Sequence, residues 1–379
     1  MKKFLPYGRQ YIDEDDVQSV VDVLNSDYIT QGPKVDEFEK KLADHFGSKY
    51  AVVFNSGTSA LHGAYFAINL GHEEKLVTSP ITFAATSNAA LYLGAKPIFC
   101  DIESATGNIN PSLIQVPKNV KAIVPVHYAG NPVDLKSVYD LAHENDLYVI
   151  EDAAHAVGAN YNDHIIGSCK YSDMTVFSFH PVKHITTGEG GAVLTNNPDF
   201  YDKMLKFRSH GINKDKFQFQ PHGDWYYEMQ FLGHNYRMTD IQAALGLSQL
   251  NKLKEFVKRR RKIARIYEEL FEGNHYFDTI DCINQESSYH LFPILLKDPY
   301  KCKKSNIFIK LREKGLGVQV HYIPVYLQPY YEDLGYKAGS CPVAEDFYHR
   351  EISIPIYPAM SDDDVNYVVE TIYEIFHKL

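Results

Sequence analysis

The sequence predicts an α/β fold, with a large, mostly parallel-sheet domain followed by a smaller C-terminal α/β domain. Two patterns predict it. Continuous apolar runs recur from Ala51 to Leu194, most of them separated by stretches with helical spacing. Uninterrupted apolar strands between helices belong to a parallel sheet covered on both faces. After a long helical stretch, roughly Thr239 to Glu272, the alternation resumes on a smaller scale. With 379 residues, 45% of them apolar, the chain can bury a large core and form two domains.

Each element has its own signal. Asp13 to Asp16 precede Val17, Val20, Val21 and Leu24, and acidic residues ahead of an apolar face suit a helix N-terminus. Tyr28 to Pro33 breaks that helix, and a second carries Val35, Phe38, Leu42 and Phe46. Strands are expected at Ala51–Phe54, Leu76–Thr78, Pro97–Cys100, Ala122–Val126, Tyr148–Ile150, Met174–Phe179 and Ala192–Leu194, with helices at Ser59–Leu70 and Ser87–Leu93 among them. In such a sheet, ligands bind beyond the carboxyl ends of the strands. Beyond Gly273, His290–Leu296 and Gly317–Tyr322 read as strands, and Ser305–Lys314 and Asp362–Phe376 as helices. The domain boundary is expected inside the long helix near residue 250, giving a large domain over 1–250, with an N-terminal helical segment, and a small one over 251–379.

Composition narrows the function. A net charge of −10 gives no sign of nucleic-acid binding. The basic cluster Lys252–Lys262 is interleaved with Leu253, Phe256, Val257, Ala264, Tyr267 and Leu270, the pattern of the solvated face of an amphipathic helix. Five scattered cysteines without a CxxC pair point to a reducing compartment and no metal site. The apolar stretch near the N-terminus is too short for a signal peptide, and no run approaches a membrane span. A soluble, cytoplasmic protein is expected.

The residues that carry chemistry centre on Lys183, in SFHPVKHITTGEGGAV from Ser178 to Val193. It follows an apolar strand and precedes Gly188, Gly190 and Gly191, which let a backbone approach a planar ligand. A buried lysine has its pKa lowered, and its neutral amine can form a Schiff base with an aldehyde. Asp152 ends the strand begun at Tyr148 and can hold a protonated ring nitrogen; capping a helix is its equal alternative. Together these are the two protein groups that pyridoxal phosphate (PLP) requires. His155, three residues on, is placed to touch the ring hydroxyl or to be structural. The turn Asn55 to Ser59 offers helix N–H groups and Gly57 and Thr58 to a phosphate, or simply caps a helix. Ser178 could add a hydroxyl to that phosphate. Phe83 is a candidate to stack on the ring, although an isolated aromatic is more often core. His127 and Tyr128 end another strand and are candidate pocket residues.

With NSGTSAL, SPITFAAT, PVHYAG, EDAAHA, SFHPVKHITTGEGGAV and HNYRMTDIQAALG in this order, the chain resembles the DegT-type sugar aminotransferases, fold-type-I PLP enzymes that act on nucleotide-linked keto sugars. The resemblance runs from Pro6 to the C-terminal helix. It implies Lys183 as the lysine bonded to PLP and later the proton shuttle, Asp152 at the ring nitrogen, and His155 near the ring hydroxyl. It puts Gly57, Thr58 and Ser178 at the phosphate and Phe83 against the ring. Asn235, in HNYRMTD, would reach the phosphate of the neighbouring subunit's cofactor, which implies a homodimer with shared active sites. One branch of the family replaces the lysine with histidine and becomes a dehydratase; the intact Lys183 favours amination.

The opening FLPYGRQYIDEDDVQSVVDVLNSDYITQGP and SFHPVKHITTGEGG look most like the branch that aminates carbon 4 of a UDP-linked 4-keto-6-deoxy-N-acetylhexosamine, with L-glutamate as donor, on the way to pseudaminic acid. Other GDP-, dTDP- or UDP-keto sugars, and a PLP-dependent dehydratase, are the alternatives. Specificity must come from the sugar and nucleotide contacts. Tyr7, Tyr28, Thr30, His321 and Tyr322 are the candidates, because aromatic and hydroxyl groups suit a sugar.

Overall fold

The computed structural model describes residues 4–282 and 287–379. At its centre is a seven-stranded sheet in the spatial order Tyr50–Phe54, Gly191–Thr195, Met174–Ser178, Tyr148–Asp152, Val120–Val124, Lys75–Thr78 and Lys96–Phe99. All pairings are parallel except those of Gly191–Thr195, which runs antiparallel to both neighbours. Successive side chains of a strand point to opposite faces. Val53, Phe177 and Ala192 therefore join one core with Phe38, Leu42, Phe46 and Phe256. Their neighbours Val52, Val176 and Val193 join the other with Leu61, Ala64, Tyr65 and Met204. Each such fully buried Val, Leu or Phe contributes roughly 1.5–3 kcal/mol before entropy is counted. Helices cover both faces, so the chemistry is left to the strand ends.

That edge is set by register. Gly191 pairs with Phe54 on one side and Ser178 on the other, and Asp152 pairs with Val176. The carboxyl ends of three strands thus fall in one row, and Asn55–Gly57, Ser178 and Asp152 emerge side by side.

The 32-residue helix Asp240–Phe271 begins with a capping box between Thr239 and Gln242. Its first part, through Phe256 and Val257, packs in the sheet core. Ile263, Ala264, Tyr267 and Phe271 pack in a second core with Phe292, Ile294, Ile352, Ile354, Val368 and Ile372. The handover between cores therefore falls between Val257 and Ile263, later along the helix than the expected position near residue 250. The second core is built on an antiparallel sheet of Phe277–Thr279, Phe292–Leu296 and Glu351–Ile354.

Two further expectations change. The chain start does not stay with the large unit: Leu5–Pro6 pairs in parallel with Leu316–Gly317, and Leu5 sits in the second core. The expected strand Gly317–Tyr322 stops at Gly317. Beyond it Gln319 makes a single antiparallel bridge to Ser353, and the His321 N–H then turns to the Glu351 carboxylate (2.8 Å), so no continuous ladder forms.

The five cysteines are free. Among the described residues there is no cluster of three or more metal-ligating side chains, and no helix is long and apolar enough to cross a membrane.

Candidate active site

Lys183 sits on a return that is closed on itself. Its N–H donates to His180 O (2.9 Å), the Thr187 N–H to Phe179 O (3.0 Å), and the Gly188 N–H to the Thr186 hydroxyl (3.0 Å). The side chain is partly buried. Burial pushes the amine pKa down to about 8; the Asp152 carboxylate pulls against that shift, and the Arg260 guanidinium adds to it. Asp152 and Lys183 are therefore within electrostatic reach of one another at one edge of the sheet.

Asp152 is 5% exposed. Its Oδ2 accepts a hydrogen bond from the Thr86 hydroxyl (2.6 Å) and its Oδ1 one from the Ala154 N–H (3.2 Å). Turns, not a helix, follow it, so it caps no helix. His155 is buried and neutral: burial holds its pKa well below the usual histidine value, and Lys183, His321, His184 and His127 add to the effect. Its Nε2 lies 3.0 Å from the Tyr322 hydroxyl, and its Nδ1 has no hydrogen-bond partner.

The turn after Phe54 makes an open helix end. The Ser56 hydroxyl caps the Ser59 N–H (3.1 Å), and the Ala60 N–H donates to Ser56 O (3.1 Å). The N–H groups of Gly57 and Thr58 are left at the open first turn, the arrangement that binds phosphate. Capping and anion binding thus coexist here. Gly57 is required by space: a Cβ would lie 2.9 Å from Ser178 Cβ and 3.1 Å from its Oγ. Ser178 therefore faces the same turn. Phe83 is 63% exposed, with its ring centroid 6.4 Å from that of Tyr322, so it is not core packing.

The sugar candidates divide. His321 and Tyr322 arrive beside His155, and the Tyr7 ring packs on His321 with centroids 5.0 Å apart. Tyr28 and Thr30 are exposed at the start of the long helix, where Thr30 bridges Thr239 and Ile29 O accepts the Asp240 N–H (3.1 Å). Asn235 is exposed too; its carbonyl accepts from Asn55 Nδ2 (3.5 Å), which puts it next to its own chain's turn.

His127 and Tyr128 do not line the pocket. His127 Nδ1 accepts the Val133 N–H (3.1 Å), so Nε2 donates to Glu151 (2.8 Å) in the protein interior. Tyr128 is wholly buried, its hydroxyl donating to His321 O (2.7 Å). The basic cluster needs a correction as well. Arg260 is 0% exposed, and one of its nitrogens donates to the carbonyls of Tyr289, His290 and Ile356. Thr86 and Arg260 are the site residues that sequence reasoning missed. Thr86 lay within reach, in the quoted motif SPITFAAT; nothing in a run of basic residues singles out Arg260.

These groups fit PLP: an open helix end and a serine for a phosphate, a buried carboxylate for a ring nitrogen, an unpartnered His155 nitrogen for a ring hydroxyl, and a lysine with a lowered pKa for an aldehyde. The sequence matches the DegT/DnrJ/EryC1/StrS aminotransferase family over residues 10–373. It is 42% identical over 384 residues to the UDP-4-amino-4,6-dideoxy-N-acetyl-beta-L-altrosamine transaminase of Campylobacter jejuni, covering 99% of this chain and 98% of that protein. PseC of Helicobacter pylori, an aminotransferase involved in the biosynthesis of pseudaminic acid, superposes with a TM-score of 0.94 at 37% identity, covering 100% of both chains. Spr1654 of Streptococcus pneumoniae, a suspected sugar aminotransferase, superposes in its PLP form with a TM-score of 0.92 at 28% identity, covering 99% of both chains. The match over residues 10–373, on a fold shared over the full length with sugar aminotransferases, makes this chain a member of the DegT/DnrJ/EryC1/StrS aminotransferase family.

Proposed function

We propose that the chain is a PLP-dependent transaminase acting on UDP-2-acetamido-2,6-dideoxy-β-L-arabino-hex-4-ulose. It moves the amino group of L-glutamate to carbon 4 and yields UDP-4-amino-4,6-dideoxy-N-acetyl-β-L-altrosamine, working in the cytoplasm as a homodimer. The full-length identity of 42% to a transaminase of that name carries the substrate assignment.

When bound, PLP supplies an electron-accepting ring on which an amino group and a proton can be exchanged. The Asp152 carboxylate would keep the ring nitrogen protonated, and Thr86 would hold that carboxylate in place. Gly57, Thr58 and Ser178 would hold the phosphate, His155 the ring hydroxyl, and Phe83 one face of the ring. Lys183 does the proton work. With its pKa near 8, a useful fraction of the amine is neutral at neutral pH, so Nζ can take the proton from the α-carbon of glutamate. In the second half-reaction the same nitrogen delivers a proton to carbon 4 of the sugar. Glutamate and the keto sugar use the site in turn, which gives ping-pong kinetics.

Tyr7, His321 and Tyr322 would form the sugar side of the pocket. Tyr28, Thr30 and Asn235, all exposed, would complete it or its partner's site across a dimer interface. The same reading keeps two domains divided within the long helix, with Leu5–Pro6 assigned to the smaller one. Mass spectrometry of products from glutamate and a panel of UDP-, GDP- and dTDP-linked keto sugars tests the assignment. An amino sugar formed from the UDP-linked 4-keto substrate is expected. Amination confined to a GDP- or dTDP-linked sugar, or loss of oxygen without gain of nitrogen, would overturn it.

A further inference from the structure

Glu351 lies in the second core's sheet, has been given no role above, and is wholly buried. A buried carboxylate is costly unless its oxygens are satisfied. Both are, and on one target. Oε2 accepts the His321 N–H at 2.8 Å. Oε1 accepts the Ser353 hydroxyl. The Ser353 proton is therefore spent on Glu351, so the 2.9 Å contact between Ser353 Oγ and His321 Nδ1 is an N–H donating to the hydroxyl oxygen. With Tyr128 donating to His321 O (2.7 Å), the backbone N–H, carbonyl and ring of His321 are all fixed. Burial pushes the Glu351 carboxyl up to about 7, against the pull of the Ser353 hydroxyl, the Lys304 charge and the His321 N–H; the Lys304 amine itself donates to Tyr348 O.

Tyr322 is the next residue. Its ring lies nearly parallel to His155, with centroids 6.0 Å apart and planes 23° apart. Among the described residues its hydroxyl has one hydrogen-bond partner, His155 Nε2 at 3.0 Å. Burial keeps the phenol protonated and the imidazole neutral. The hydroxyl proton has one protein acceptor, Nε2; directed there, it leaves the imidazole hydrogen on Nδ1. Nδ1 is the nitrogen that is buried without a partner. A buried donor with nothing to donate to is a group waiting for an acceptor.

We propose that Glu351 and Tyr322 are positioning residues: Glu351 anchors His321–Tyr322, and Tyr322 holds His155 as the Nδ1–H tautomer, presenting a hydrogen-bond donor to the oxygen of the bound ring. This rests on the PLP reading above for the identity of the acceptor, but not for the tautomer itself.

The two parts can be separated by experiment. Nitrogen-15 NMR of histidine-labelled protein without PLP reads the tautomer directly, with the His155 signals identified by their loss in His155→Gln. Wild type is expected to show His155 protonated on Nδ1 and bare on Nε2. Tyr322→Phe is expected to lose that preference and to weaken PLP affinity about tenfold, the loss of one hydrogen bond. Glu351→Ala should do the same, and Glu351→Gln, which keeps one carbonyl acceptor, should restore part of it. If Glu351→Ala does not fold, Ser353→Ala reads the same connection. A wild-type His155 protonated on Nε2, or a tautomer unmoved by Tyr322→Phe, overturns the proposal. An unmoved tautomer in folded Glu351→Gln and Ser353→Ala overturns the Glu351 anchor. Absence of any PLP binding by a protein with the expected tautomer overturns the cofactor reading instead.

Discussion

The two walls of the site are built in different ways. The sheet-side wall consists of Asn55–Gly57, Asp152 and Ser178, at or just beyond the carboxyl ends of three strands whose register places them in one row. The opposite wall, His321–Tyr322, belongs to no strand and hangs from Glu351, Ser353 and Tyr128 through single hydrogen bonds. The first wall inherits its rigidity from a buried sheet. The second depends on a few polar contacts made across long sequence separations, so single substitutions should reach it more easily.

The sharpest way to break this contrast is at the sheet-side wall. Lys183→Ala should lower amino transfer by about a thousandfold or more, since it removes both the covalent anchor and the proton shuttle. Borohydride treatment with PLP should leave no adduct on the variant; a persisting adduct elsewhere in the chain would remove Lys183 from its role. Asp152→Asn should cost about 10²–10³-fold in kcat, the scale of a lost preorganised charge, with PLP still bound by absorbance. Thr86→Val should cost less, about tenfold, because the 2.6 Å hydrogen bond to Asp152 orients the carboxylate without supplying its charge.

The pH dependence follows from the lysine. Its pKa is lowered to about 8, so the amine loses its proton as pH rises through that value. One unit below it about a tenth of the amines are neutral. Capture of PLP by the cofactor-free protein should accelerate about tenfold from pH 7 upwards and level off above pH 8 to 9. A flat profile would mean that burial does not tune this group.

The smallest effect sharpens the comparison across subunits. If Asn235 serves the partner's site, dimers mixed from Lys183→Ala and Asn235→Ala chains contain one intact site. Mixing two inactive variants should then restore about a quarter of wild-type activity. No recovery would keep Asn235 in its own chain, beside Asn55, where its carbonyl already lies.

The sheet-side wall could be read in advance because its chemistry is local. A strand, a turn and a helix start carry Gly57 and Thr58 within a few residues, Asp152 ends a mostly apolar strand, and Lys183 follows another within five residues. The other wall could not. His321 and Tyr322 were legible only as a histidine and a tyrosine in a tyrosine-rich chain, because the groups that fix them come from Glu351, Ser353 and Tyr128. Arg260 is concealed for the same reason: within a basic run its side chain is indistinguishable from its solvated neighbours, yet it turns inward to three carbonyls.

Sequence alone determined the alternation of strands and helices, Asp152 at a strand end, Lys183 on the return after another, and the glycine in the turn after Phe54, because periodicity and turn chemistry act over a few residues. Tertiary structure alone decided that Leu5–Pro6 pairs with Leu316–Gly317, that the strand expected over Gly317–Tyr322 ends at Gly317, and that Thr30 bridges Thr239. Those outcomes depend on which distant groups satisfy a backbone N–H or fill a core, and no local pattern records that choice.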